Sequence, residues 1–145
     1  MQMISAKLFR NRLILAIFDR TTEGVGHMSS AFVAEDPADL AAVGRDVRLA
    51  ISRSKDGVEP PPWEALRDMP DPALELSGVK SRSTMMKTAK SVSVDADGSQ
   101  FTIRPYTNRG PRGGFTSIED KARILNDPDD AALGAALFAA FADTA

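Results

Sequence analysis

The sequence predicts an α+β fold: a mixed, mainly antiparallel sheet with two amphipathic helices packed on it, formed by residues 1–145 as a single domain. Two observations carry that prediction. Ala6–Phe9 with Arg12–Phe18, and Ser91–Asp95 with Gln100–Arg104, are apolar or alternating segments separated by short polar turns, the pattern of β-hairpins. Two other segments open on Asp-Pro-x-Asp and continue with apolar residues at helical spacing. Hairpins make neighbouring strands antiparallel, and an amphipathic helix hides its apolar stripe by lying on a sheet. A chain of 145 residues is long enough to bury a core without disulfide or metal staples.

The elements follow in order. Asn11, between Arg10 and Arg12, suits the turn of the first hairpin. The unbroken apolar run from Leu13 to Phe18 implies burial on both faces, hence a central strand. Thr21–Ser29 holds two glycines and reads as a loop or frayed edge, with a strand at Ser30–Ala34. The first long helix starts at Asp36-Pro37-Ala38-Asp39: Asp36 suits the cap, Pro37 the first turn, and Asp39 the positive end of the dipole. Leu40, Val43, Val47 and Ile51 form its apolar stripe.

Gly57 and Pro60-Pro61-Pro62 form a semi-rigid connector. Trp63–Met69 reads as a short helix stopped by Pro70 and Pro72, with Trp63 covering an edge of the core. Ser81–Ala89 is a second short helical candidate. Asp97-Gly98 turns the second hairpin, and Asn108–Gly114 is a glycine-rich loop. Phe115–Ile118 and Ala122–Leu125 read as a third hairpin around Glu119-Asp120. The last helix repeats the first: Asp127-Pro128-Asp129-Asp130 echoes Asp36–Asp39, and Leu133-Gly134 echoes Val43-Gly44.

Composition narrows the chemistry. There is no cysteine, which excludes disulfides, thiolate metal sites and cysteine nucleophiles. The single histidine, His27, has no serine or carboxylate spaced to orient it as a base, so the chain does not read as an enzyme. Asp95-Ala96-Asp97-Gly98 lacks the further oxygen ligands of a calcium loop, and no metal or cofactor is expected. The 18 Lys+Arg against 20 Asp+Glu argue against a nucleic-acid binder working by general basicity. The longest apolar run is far too short to span a bilayer and the first residues form no export signal, so a cytoplasmic protein without membrane contact is expected.

Charge is unevenly placed. Asp56, Glu59, Glu64, Asp68, Asp71 and Glu75 face only Arg67 within one stretch, whereas Lys80, Arg82, Lys87 and Lys90 follow without an acid. The acidic run suits either a solvated face or a patch that meets a basic partner. The alternative function is a small RNA- or nucleotide-binding module using the arginine set Arg104, Arg109 and Arg112, around a loop whose glycines would let backbone amides approach an anion; the competing reading is a solvated loop between strands.

The stretch from Lys80-Ser81 to Lys87 leads into Val92-Ser93-Val94 and then Phe101-Thr102-Ile103-Arg104-Pro105. Gly113-Gly114-Phe115 and the acidic helix start before Leu133-Gly134 follow, and Asp39-Leu40 to Ser54 belongs to the same pattern. Together these resemble the immunity proteins of bacterial contact-dependent growth inhibition, the CdiI proteins. The resemblance implies a cytoplasmic inhibitor that binds a cognate toxin, the C-terminal region of CdiA and commonly a nuclease, in a one-to-one complex. It needs neither catalysis nor cofactor. The matching positions are structural, so no toxin-contact residue carries over; the resemblance together with the local charge excess makes the acidic run from Asp56 to Glu75 the candidate toxin-binding surface.

Overall fold

A computed structural model describes residues 1–145. Seven strands form the sheet: β1 (Gln2–Phe9), β2 (Arg12–Arg20), β3 (Gly26–Val33), β4 (Lys90–Asp97), β5 (Gln100–Asn108), β6 (Phe115–Ser117) and β7 (Arg123–Asn126). Their order is β3-β2-β1-β4-β5-β6, with β7 also beside β5, and every named pairing is antiparallel. The two predicted hairpins are present. Arg10 and Asn11 turn the first with φ of 49° and 63°, the left-handed pair that matches strand twist in a two-residue loop. Gly98, at φ 59°, turns the second. Leu13 through Ile17 are fully buried, as a central strand requires.

Several expectations about the strands and turns need correction. β3 begins at Gly26, within the stretch read as a loop, and a bulge between Ile17 and Phe18 lets it keep pairing with β2 as far as Arg20. β6 and β7 do not pair with each other. Both lie against β5, forming one edge strand interrupted by a 3-10 turn at Glu119–Lys121, so the acidic pair bulges the chain outward instead of reversing it. Pro72 starts a helix where it was read as a stop: its fixed φ suits the first turn, and Asp71 caps it by accepting from Leu74 N.

The helices are α1 (Leu40–Arg53), α2 (Trp63–Arg67), α3 (Pro72–Ser77), α4 (Arg82–Met86), the single turn α5 (Gly110–Gly113) and α6 (Asp130–Ala142). In α1 the cap is Asp39, accepting from Ala42 N at 3.2 Å, and Asp36 instead forms the preceding turn. In α6 Asp129 has that role, accepting from Ala132 N at 2.7 Å. No helix is long and apolar enough to cross a membrane.

The two halves of the chain repeat one another across the central β1–β4 pair, where Ser5 lies opposite Ser93. Each half runs hairpin, edge strand, long helix. The helices α1 and α6 lie together on one face, over Ile4, Ala6, Leu13, Leu15, Ile17, Val92, Val94 and Ile103. The shared Gly motif now has a physical reason. A methyl group at Gly44 would overlap the Asp130 carbonyl, and one at Gly134 would overlap that of Leu40. Each glycine thus admits the first turn of the other helix to backbone contact. Arg48 bonds Asp130 at 2.7 Å and reaches the Pro128 carbonyl, tying α1 to the start of α6.

The opposite face is covered more thinly. Ala73 of α3 packs on Ile14 and Ala16, and Met85 of α4 on Phe9.

In most exposed helix interiors, replacing glycine by alanine gains about 1 kcal/mol. Here Gly44→Ala or Gly134→Ala is expected to lower unfolding free energy by about 2 kcal/mol or more, because backbone must move. Urea melts of the two variants check this.

Candidate functional site

The acidic residues do not form one uniform patch. Asp56 binds the N-terminal ammonium at 3.0 Å, and that bond holds its carboxyl below the usual range. Asp71 is half-buried and is occupied as the cap of α3. Glu59, Glu64, Asp68 and Glu75 are exposed, and of these only Asp68 lies near a cation, Arg67 at 3.7 Å. The run is therefore two carboxylates engaged by the fold, Asp56 and Asp71, with three exposed ones between them and Glu75 exposed beyond.

The segment that carries them projects from the body. Its start is fixed by Val58, which exchanges backbone bonds with Arg20 O and Thr22 N, and its end by Ala73 in the core beneath α3. Between them α2 buries none of its residues. Trp63 is 69% exposed, which corrects the expectation that it covers the core. Prolines flank α2 on both sides and bound it as a separate five-residue helix that buries none of its residues. Leu66 and Met69 are exposed as well, at 43% and 40%.

The arginine set is not assembled. Arg104 projects from β5 onto the sheet face, bonded to Asp95 at 2.6 Å and Glu119 at 3.3 Å. Burial outweighs Arg104 at Asp95, whose carboxyl sits above its ordinary value. Ser117 and then Arg104 hold Glu119 below its own. Arg109 donates to Thr116 Oγ1 at 3.1 Å. The loop's amides are largely spent: Gly110 N donates to Asn108 Oδ1, Arg109 N to Gly114 O and Gly114 N to Gly110 O. Arg112 instead shares an open hollow of about 420 Å³ with Arg82 of α4. His27 lies on β3 opposite Asp19, and its Nδ1 has no hydrogen-bond partner.

Lys7 is a site the sequence reading missed. It lies under α3 and α4, where Nζ donates to Ser5 Oγ and Ser91 Oγ at 2.8 Å each and sits 4.8 Å from the centre of the Phe115 ring. Burial, helped by the Arg82 charge and opposed by Asp71, lowers its pKa to about 8. Strand alternation could have signalled it, since Ser5, Lys7 and Phe9 share the face opposite Ile4 and Ala6.

The sequence model described as "CdiI: CDI immunity protein" matches residues 15–144. The chain belongs to this CDI immunity family. The fold is similar to that of a protein of unknown function, NMB0488 from Neisseria meningitidis, with a TM-score of 0.79 at 17% identity, covering 99% of this chain and 95% of that one. It is also similar to a chain of the CdiA-CT/CdiI toxin and immunity complex from Yersinia pseudotuberculosis, with a TM-score of 0.78 at 13% identity, covering 99% and 97%. No curated protein sequence gives a significant match. At these identities the structural likeness establishes the fold of this CDI immunity protein and leaves its contact residues to be read from its own surface.

Lys7 gives the fold a pH dependence with a defined sign. Its folded pKa, about 8, lies below the ordinary 10.5, so between these values the unfolded chain binds more protons and stability contributed by Lys7 rises with pH. Denaturant melts from about pH 7.5 to 10 should show wild type gaining on Lys7→Met, by at most about 3 kcal/mol. A gap independent of pH would contradict the buried cation.

Proposed function

We propose that this protein neutralises a cognate toxin, the C-terminal domain of a CdiA-type protein, by forming a one-to-one complex with it in the cytoplasm. The toxin is a nuclease, and the bound immunity protein blocks its active site or substrate surface. Binding alone achieves this, without catalysis or a cofactor. The observation that carries the reading is the family match over nearly the whole chain. The projecting acidic segment supports the choice of surface, because a nuclease is basic where it holds phosphates and opposite charge both speeds encounter and selects the partner.

Nucleic-acid binding by the arginine loop is the weaker reading: Arg104, Arg109 and Arg112 are separated, and Arg104 is neutralised by two carboxylates.

Capture of partners from cells of the same strain by the tagged protein tests the function. A stoichiometric C-terminal toxin domain is expected, while recovery of nucleic acid, or of nothing, would contradict it. Joint replacement of Glu59, Glu64 and Asp68 by lysine should weaken toxin binding at least about tenfold at low salt, with the difference shrinking as salt is raised. Asp71 is left intact in that variant because it caps α3. Unchanged affinity would remove the acidic surface from the interface and leave the function standing.

A further inference from the structure

We propose that Trp63, with Leu66 beside it, is the apolar anchor of the toxin contact, entering a cleft on the toxin that is apolar within and rimmed by basic residues. This rests on the immunity reading above and names the residues that would carry most of its affinity.

Three observations converge on the ridge. A tryptophan 69% exposed on a helix with no buried residue contributes nothing to the core, and Leu66 and Met69 extend the same apolar surface. Tryptophan in such a place is the side chain most enriched among residues that dominate binding energy. The ridge is also held in position. Val58 pins one end to Arg20 and Thr22, Ala73 sits in the core at the other, and Pro60, Pro61, Pro62, Pro70 and Pro72 fix the backbone between them. Little conformational freedom is then lost when it docks. Its charge names the occupant. Glu59, Glu64 and Asp68 flank the apolar residues along the chain with exposed negative charge, and the one cation among them, Arg67, lies over the Trp63 ring at 5.4 Å beside Asp68. A basic rim around an apolar cleft complements this arrangement. A second copy of the chain does not, since pairing two such ridges would bring like charges together.

The test uses the C-terminal domain of the CdiA-type protein from the same strain, carrying an inactivating substitution in its own active site, titrated with full-length wild type, Trp63→Ala, Trp63→Phe and Leu66→Ala. Trp63→Ala should lose at least about 30-fold in affinity, and the loss should persist at high salt because an apolar contact is not screened. Trp63→Phe should recover part of it. Trp63 is exposed, so these variants should melt with wild type, and the melt is recorded alongside. Wild-type binding with both alanine variants within about threefold would overturn the anchor and leave the immunity function intact. If the chain alone sediments as a dimer that Trp63→Ala dissolves, the occupant is a second copy and the proposal fails. Absence of wild-type binding would overturn the functional reading and the anchor with it.

Discussion

Two helices that meet backbone to backbone set the geometry of this molecule. Gly44 admits the first turn of α6 and Gly134 admits the first turn of α1, so both helices fit on a single face of the sheet. Side chains at either point would force the helices apart and lift Val43, Val47, Leu133 and Leu137 from the strands they cover. Each close approach lies just inside a capped helix start, and Asp39 and Asp129 satisfy free amides there. Capping, close packing and the strand repeat across β1–β4 are parts of one arrangement.

The other face of the sheet is organised differently. It is covered by short helices and carries polar side chains in its strands: Lys7 bridging two serines, and Arg104 between Asp95 and Glu119. The chain crosses to this side through the proline-flanked segment that holds α2. The face covered by α1 and α6 holds the main core, whereas α2 on this segment buries none of its residues. Substitutions along the acidic ridge leave the glycine contact between α1 and α6 untouched.

Local signals made much of the sheet legible. The two-residue turns at Arg10-Asn11 and Gly98-Ser99, and the apolar run of β2, are written in adjacent residues. The Asp-Pro-x-Asp motifs marked both long helices but misplaced the first cap, because Asp36 and Asp39 are equally good caps by composition and it is Asp39 whose side chain accepts from Ala42 N. What local pattern could not supply was pairing over distance. β6 and β7 looked like a hairpin because each is short and apolar, and only β5 as a shared partner shows that they are one interrupted edge. The candidate surface was legible as charge and obscure as shape. Six carboxylates in a row gave the acidity, yet only coordinates show that Asp56 and Asp71 anchor the segment and that Trp63 points away from the core.

Hydrogen exchange of the amides, compared between the free protein and its complex with the inactivated toxin domain, measures the central claim most directly. The account predicts that added protection concentrates between Glu59 and Asp71, on and beside α2, while the α1–α6 layer exchanges as it does in the free protein. Protection confined to α1, α6 or the loop at Arg109–Gly114, with the amides around Trp63 unchanged, would contradict it.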